Sequence, residues 1–457
     1  MKWLRSRIPP VSATELGVFR VLFGSGVGWI LYDMRLPAQP FPPELHLRSQ
    51  RLAEWEWVHA LATRTEQVAL LEWSMIALAG VFAVGLLSRL SFAMLVAAAT
   101  VWTLVRLTHT GVHNWSALFV TLWAMLPVRW GDGFSLDALI RRWRGKAIDP
   151  AVRRAAYGYA LWIPGLVFGA AMAAAGAAKL TQSGFAWITN ASVKYHFLAD
   201  ARSAPVDWGL RVASNHELAL ALSAAAIVTE CGLILAVLVP GWIGRLPFAL
   251  AAAGLLLGFY FFQNELWLAW WLLCLAFFVP WPGLVRLLTW RWRPPTVNVT
   301  RGLAAGQILA IAVVCGLQLA AAILRVEHAP IMSDYPMYST TYASIEEFEE
   351  REAVSPIFHF AVRFADGVQA HASEVFEQLE IDESVREAYR AVERDSTDSA
   401  RVAPVIAEAE RQLVAHYQQP ITAIIVLTDQ EAFDWATGRF YWKWIRKPVY
   451  TFSIPSR

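Results

Sequence analysis

The sequence predicts an α-helical integral membrane bundle of about nine transmembrane helices, with a small α+β domain at the C-terminus. Three observations lead to this prediction. Of 457 residues, 56% are hydrophobic and only 17% are charged, whereas soluble domains average about 25% charged residues. The chain holds 23 tryptophans, and amphipathic aromatic side chains collect at membrane interfaces. Long apolar runs recur along the first 330 residues.

Each predicted transmembrane helix is an apolar run of about 17–25 residues, the length that crosses the hydrocarbon core of a bilayer. Lys2, Arg5 and Arg7 precede the first run, and no small-residue cleavage site follows it. This pattern is typical of an uncleaved signal-anchor. The predicted spans lie at roughly 14–33, 68–87, 91–108, 113–128, 156–178, 217–239, 246–262, 265–282 and 302–324.

Lysine and arginine residues in the short loops predict the orientation, because cytoplasmic loops carry an excess of them. The basic residues from Arg141 to Arg154 fall on the same side as the N-terminus, which places the N-terminus in the cytoplasm. An odd number of spans then places the C-terminus outside. We expect a multi-pass protein of the inner or plasma membrane. Its outer loop 179–216 carries Trp187 and His196, and long structured loops often carry function.

The composition changes at about Ile331 to that of a small soluble domain. We therefore predict a membrane domain over 1–330 and an extracytoplasmic α+β domain over 331–457. Apolar residues alternate from Ile357 to Phe364, and Asp366-Gly367 favours a tight hairpin after this strand. Further helices are predicted at 383–394 and 404–418, and further strands at 421–428 and 448–454.

Ionisable residues inside membrane spans are costly, so each is a candidate for function. Arg20 and Glu230 lie in predicted spans, and we interpret them as polar support that pairs with another helix. Lys179 directly follows an uncharged run that ends in Ala175-Gly176-Ala177-Ala178. An amine in this position can anchor the helix at the interface, or it can act as a base when it is desolvated.

Polar residues also cluster at the predicted outer ends of other spans. His109 and His113 are four residues apart, a spacing that can bind a metal on a helix, but no acidic residue stands at a recognised distance. We expect no metal, and polar contacts from His113, Asn114 and Asn264 that line an outward cavity. The basic runs flank membrane helices, so nucleic-acid binding is not expected.

Several short segments follow one another along the chain: Glu15 to Gly24, His113 to Leu118, Ser135 to Asp137, Ala175 to Leu180, Phe259 to Asn264, Tyr335 to Ser339 and the Asp366-Gly367 hairpin. In this order they resemble the vitamin K-dependent γ-carboxylase family and its bacterial relatives with the HTTM membrane domain. The resemblance covers most of the chain, and the order of the segments carries it.

The resemblance implies that Lys179 is the base that deprotonates a vitamin K-type hydroquinone. Oxygen then converts the hydroquinone to an epoxide, a γ-proton leaves a glutamate side chain, and the carbanion captures CO2. His113, Asn114, Tyr260 and Asn264 are the implied quinol-binding residues. The implied substrates are the lipid-soluble hydroquinone with O2 and CO2, and the implied partner is a glutamate-containing peptide or protein.

Trp115 and Phe261 stand where the family carries histidines, so we expect quinol epoxidation with or without glutamate carboxylation. The enzyme interpretation requires Lys179 to face an enclosed cavity that opens to lipid and to the outer side of the membrane, near His113 or Asn264. The alternative is a non-catalytic membrane protein whose outer domain binds a partner and whose Lys179 anchors at the interface. A transporter ranks lowest, because the sequence shows no inverted repeat.

Overall fold

Helices make up most of the chain in the computed structural model. The structure describes residues 7–36, 55–109, 113–146, 148–149, 152–201, 204–288, 299–300, 302–324, 339–344, 347–348, 357–394, 399–434 and 439–454. The helices of the N-terminal two thirds are α1 (Ala13–Asp33), α2 (Glu56–Ala62), α3 (Thr65–Val84), α4 (Ser88–His109), α5 (His113–Ala124), α6 (Leu136–Trp143), α7 (Ala155–Ser183), α8 (Ala186–Thr189), α9 (Val193–Ala199), α10 (Trp208–Ala213), α11 (His216–Gly232), α12 (Trp242–Gln263), α13 (Leu268–Phe278), α14 (Trp281–Leu288) and α15 (Ala305–Leu324).

Six helices in the described part of the chain are long and apolar enough to cross a membrane: α1, α3, α4, α7, α11 with the 3-10 turn Leu233–Leu238 that follows it, and α12. These helices indicate a multi-pass membrane protein. A helix lies at every predicted span, but α5 and α13 have only 12 and 11 residues. A helix of that length spans about 17 Å, well short of the roughly 30 Å hydrocarbon core. The number of nine spans therefore stays a prediction.

The central element is α7, which packs against α5, α11, α13 and α15. It is 29 residues long, and most of its side chains are buried. Gly176 allows α11 to approach α7 closely, because a Cβ there would lie 2.6 Å from the Cys231 sulfur and 3.1 Å from the Glu230 Cβ. This close approach brings α11 against the last turns of α7, where Lys179 lies.

A small sheet joins the starts of three helices at the opposite end of α7. Its strands are β1 (Val11–Ser12), β2 (Arg153–Arg154) and β3 (Val299–Thr300), in the order β1-β2-β3. Ser12 caps α1 by accepting a hydrogen bond from the Glu15 backbone, while the Glu15 carboxylate accepts one from the Ser12 N–H. Glu15 also pairs with Arg153 at 3.1 Å. These contacts hold the N-terminal ends of α1 and α7 together.

The C-terminal part contains a four-stranded antiparallel sheet with strand order β5-β4-β6-β7. Its elements are β4 (Ile357–Phe364), β5 (Gln369–His371), α16 (Ser373–Gln378), α17 (Asp382–Arg394), α18 (Ser399–Tyr417), β6 (Ile421–Asp434) and β7 (Arg439–Ser453). Gly367 has a φ of +85° in the hairpin between β4 and β5, a conformation that glycine adopts without strain. Phe360 and Val426 from the sheet and Leu413 from α18 are buried in one core. The strands β6 and β7 are longer than the sequence predicts.

Candidate active site at the end of the central helix

Lys179 and Glu230 form a buried ion pair between α7 and α11. The Lys179 Nζ donates hydrogen bonds to the two Glu230 carboxylate oxygens at 2.9 and 2.8 Å. Only 3% of Lys179 and 2% of Glu230 is exposed. The Nζ also lies 5.5 Å from the centroid of the buried Trp187 ring. The ammonium is thus held by a carboxylate and an aromatic face in a place where bulk water does not reach it.

A cavity of about 350 Å³ lies against this pair. Ligand pockets in proteins are typically of about 300–1,000 Å³, with apolar walls and a few polar groups. The walls here follow this pattern, because the polar side chains stand beside many apolar ones. The lining residues are Lys179, Trp187, Val193, His196, Phe197, Leu222, Ala225, Ala226, Thr229, Glu230, Ala251, Gly254, Leu255, Gly258, Phe259, Phe262 and Gln263.

The cavity opens sideways between α11 and α12. Small residues line this opening on both helices, and Ala225 and Gly254 are exposed there. A Cβ on Gly254 would meet no heavy atom within 4 Å. Because α11 and α12 both belong to candidate membrane spans, the opening faces the region that lipid would occupy. The opening therefore leads from the apolar surface of two candidate spans towards the ion pair.

Residues 339–342 lie across the end of α7 near the cavity. The Ser183 hydroxyl donates to the Ser339 carbonyl at 2.6 Å, and the Asn190 amide donates to the Tyr342 carbonyl at 3.1 Å. The imidazole Nε2 of His196, which lines the cavity, lies 3.1 Å from the Thr340 carbonyl oxygen. This segment therefore connects the cavity wall to the part of the chain that leads into the C-terminal sheet.

The structure brings together Lys179 and Glu230, which the sequence analysis treated as separate candidates. Tyr260 and Asn264 are not among the lining residues, whereas their neighbours Phe259 and Gln263 are. Asn264 is exposed and ends α12 in the left-handed conformation. Successive helical residues point about 100° apart, so an assignment that is wrong by one residue selects a different face of the helix.

The second predicted polar cluster lies at the start of α5. The side chains of His109 and His113 lie outside the described residues. Asn114 is partly buried, and its Oδ1 has no hydrogen-bond partner, but Asn114 is not among the residues that line the cavity. Among the described residues, no group of three or more His, Cys, Asp and Glu side chains could hold a metal ion.

Arg20 is fully buried in α1 and binds carbonyl groups instead of a carboxylate. Its guanidinium donates to the carbonyl oxygens of Ala83, Trp130, Gly133 and Phe134 at 2.6–3.3 Å. These carbonyls belong to the end of α3 and to the turn that precedes α6. Arg20 is therefore a structural tie between helices, distant in sequence and in role from the Lys179 cavity.

The sequence analysis missed several residues of the cavity wall. Thr229 and Gln263 carried no signal, because one lies in an apolar span and the other ends one. Ala251, Gly254 and Gly258 recur at intervals of three and four residues, and this spacing places them on one face of α12. That stripe of small residues was a signal that could have located the opening.

A second lysine lies near the site but does not line the cavity. Lys194 is on α9, and its Nζ is 4.7 Å from the Tyr195 ring centroid. Partial burial lowers the pKa of the Lys194 ammonium. Lys194 therefore offers a control for any experiment on Lys179, because both are lysines beside aromatic rings.

Comparison of the chain with protein-family models, with curated proteins and with solved structures found no match. The site consists of a buried ammonium and carboxylate at the wall of an apolar cavity that opens between two candidate membrane spans.

Proposed function

We propose that this protein is a membrane enzyme in which the Lys179–Glu230 pair takes a proton from a lipid-soluble quinol. The reaction is the oxygen-dependent epoxidation of a vitamin K-type hydroquinone. The burial of the ion pair in an apolar cavity, open between two candidate spans, is the observation that carries this proposal. The resemblance of several sequence segments to the vitamin K-dependent γ-carboxylase family supplies the type of reaction.

The pair has no net charge before the reaction, because an ammonium faces a carboxylate. When a quinol O–H bond breaks, its electron pair stays on the quinol oxygen and its proton goes to the pair. The pair then consists of an ammonium and a carboxylic acid, with one net positive charge beside the quinolate. A low-dielectric cavity strengthens this attraction. The base is thus the Lys179–Glu230 pair and not the lysine alone.

The cavity suits a flat aromatic ring with an apolar tail. Trp187, Phe259 and Phe262 supply aromatic walls next to the ion pair, and aromatic faces pack well on one another. The opening between α11 and α12 allows an isoprenoid tail to remain among the lipid chains. A quinol can therefore place a hydroxyl group against the pair while its apolar portion stays out of water.

The proposal extends to glutamate γ-carboxylation as the coupled second step. In that step the base formed by oxygenation removes a γ-proton, and the carbanion bonds to CO2. The substrate is then a glutamate-containing peptide that enters from the side of the membrane where the C-terminal part lies. The excess of basic residues near the start of α7 supports a cytoplasmic N-terminus and an extracytoplasmic C-terminal domain.

A non-catalytic membrane protein is the second candidate. Lys179 donates two hydrogen bonds to Glu230, which is also the geometry of a structural ion pair. In that case the pair only joins α7 to α11, and the C-terminal part binds a partner protein. The two candidates differ in whether the pair is required for turnover.

The test is turnover of a reduced naphthoquinol by the purified protein in lipid nanodiscs. Epoxide formation is followed by mass spectrometry and oxygen uptake by an electrode, and a glutamate peptide with labelled CO2 reports carboxylation. We expect Lys179→Met and Glu230→Gln each to lower epoxidation by about 100-fold or more, the usual contribution of a positioned acid or base.

The matched control is Lys194→Met, which removes a lysine outside the cavity. It should keep the wild-type rate within about threefold, because no proton transfer depends on Lys194. Equal rates in the wild type and in both pair variants, or no epoxide from the wild type, contradict the enzyme proposal and favour the structural ion pair.

A further inference from the structure

A second cleft, of about 470 Å³, lies where several helices begin and end. Residues 9–11 line it from the segment before α1, and Arg153 lines it from the segment before α7. Trp242 and Arg245 line it from the first turn of α12. The end of α13 and the start of α14 complete the wall, with residues 277–281 and Gly283. The cleft is therefore formed by helix ends, at one surface of the bundle.

This cleft lies at the opposite end of α7 from the Lys179 cavity. Arg153 stands 26 residues before Lys179, and a helix of that length extends about 39 Å. The distance is close to the full thickness of a bilayer with its headgroup regions. The cleft therefore lies at the level of lipid headgroups, and it does not depend on the function proposed for Lys179.

Arg245 is a half-buried cation with no carboxylate partner among the described residues. Its Nε donates to the Val239 carbonyl at 3.0 Å, and its guanidinium carbon lies 4.4 Å from the Phe277 ring centroid. These contacts orient the guanidinium but leave its charge uncompensated. Cations in this environment are normally paired with an anion, so the cleft is suited to an anionic ligand.

Arg153 adds hydrogen-bond donors to the same cleft without adding net charge. Its Nη2 pairs with Glu15 at 3.1 Å, and its Nε donates to the Pro10 carbonyl at 3.1 Å. The two arginines and Glu15 together carry one net positive charge, which resides on Arg245. A monoanionic group is therefore the ligand that the charge balance favours.

We propose that this cleft binds the phosphate of an anionic membrane lipid, with Arg245 as the principal ligand. A guanidinium matches the two oxygens of a phosphate group. Basic pockets between helices at a membrane surface are typical sites for such headgroups. The acyl chains lie along Trp242, which is 57% exposed, and along the apolar wall near Phe278. A soluble phosphate shares the headgroup chemistry but makes none of these apolar contacts.

Native mass spectrometry tests the proposal. The intact protein is mixed with defined lipids in detergent, and the lipids that it retains after release from the detergent are counted. Wild type should retain one phosphatidylglycerol saturably and several-fold more strongly than phosphatidylcholine, whose headgroup has no net charge. Arg245→Gln should reduce retention of phosphatidylglycerol about five- to tenfold. The control Arg142→Gln removes an exposed arginine of α6 and should leave retention unchanged.

Two further measurements separate the sources of the phosphate and guard against misfolding. Millimolar inorganic phosphate should not displace the retained lipid, and displacement would show that a soluble phosphate is the ligand, which overturns the lipid assignment. Arg245→Lys keeps the positive charge but lacks the planar guanidinium that can donate two parallel hydrogen bonds. It should therefore retain more phosphatidylglycerol than Arg245→Gln. Equal retention of both lipids by the wild type, or equal loss in Arg142→Gln and Arg245→Gln, also overturns the proposal.

Discussion

Replacing Glu230 with leucine leaves the Lys179 ammonium buried without its carboxylate. Replacing Lys179 with methionine has the converse effect and leaves a buried carboxylate. The double variant removes both charges and fills the space with apolar groups of similar size. The three variants form a cycle that separates the interaction between the two side chains from the effect of each substitution.

The expected magnitude follows from the geometry of the pair. Contacts of 2.8 and 2.9 Å correspond to a Coulomb attraction of about 6 kcal/mol at an effective dielectric constant of about 20. Removing one member of a buried pair typically lowers the free energy of unfolding by about 3–5 kcal/mol, whereas replacing both with apolar residues is about neutral. The coupling between the two substitutions should therefore be about 6 kcal/mol or more, because two single losses of at least about 3 kcal/mol each disappear in the double variant.

Unfolding in mixed micelles, with increasing dodecyl sulfate, measures these free energies. Tryptophan fluorescence reports the transition, because several of the 23 tryptophans, Trp187 among them, are buried in the folded bundle. Each single variant should unfold at a lower fraction of dodecyl sulfate than the double variant. Two single variants within about 1 kcal/mol of the wild type, or effects that simply add in the double variant, would show that Lys179 and Glu230 do not stabilise the fold as a buried pair.

Two other substitutions test the opening and the structural tie. Gly254→Leu should raise the KM for the quinol at least tenfold while the protein stays folded, because the new side chain fills the opening, where a Cβ meets no atom within 4 Å. Steady-state kinetics measures the KM. The control Gly316→Leu changes an equally open glycine of α15 and should leave the KM unchanged. Arg20→Met should lower the free energy of unfolding by at least about 4 kcal/mol in the same micelle assay, because it leaves buried carbonyl groups without a donor. Arg35→Met should cost about 1 kcal/mol or less, because its side chain stacks on Tyr32 and Trp73 and donates one solvent-accessible hydrogen bond to the Tyr32 carbonyl oxygen. An unchanged KM in Gly254→Leu, or an Arg20→Met variant as stable as Arg35→Met, contradicts the respective role.

The positions of the helices could be predicted because apolar runs are a local property of the chain. The lengths of α5 and α13 could not be predicted from the sequence. Their runs look long enough to span, but α5 ends at Ala124 and α13 ends at Phe278. Both pack inside the bundle against α7. Burial among other helices produces the same apolar sequence as contact with lipid, so hydropathy alone does not distinguish the two.

The candidate site was predictable in part. Lys179 stood out because it directly follows an uncharged run that ends in small residues, where an amine can be desolvated. Gln263 did not stand out as a site residue, because a polar residue at a helix end is common. Arg20 was interpreted from the sequence as polar support, and its guanidinium donates to four carbonyls that are up to 114 residues away in sequence. Backbone acceptors leave no trace in the sequence, so that role required the structure.

Apolar runs in the sequence are enough to indicate that this chain is helical and inserted in a membrane. In the lipid interior, backbone N–H and C=O groups must hydrogen-bond within their own helix, and a long apolar run is the local sequence feature that indicates such a helix. The pairing of Glu230 with Lys179 emerges from the packed helices, because 51 residues separate the two in sequence. The close approach at Gly176 and the open face of α12 create the pair and its cavity. Packing between helices is non-local, and single-sequence patterns do not encode which faces meet.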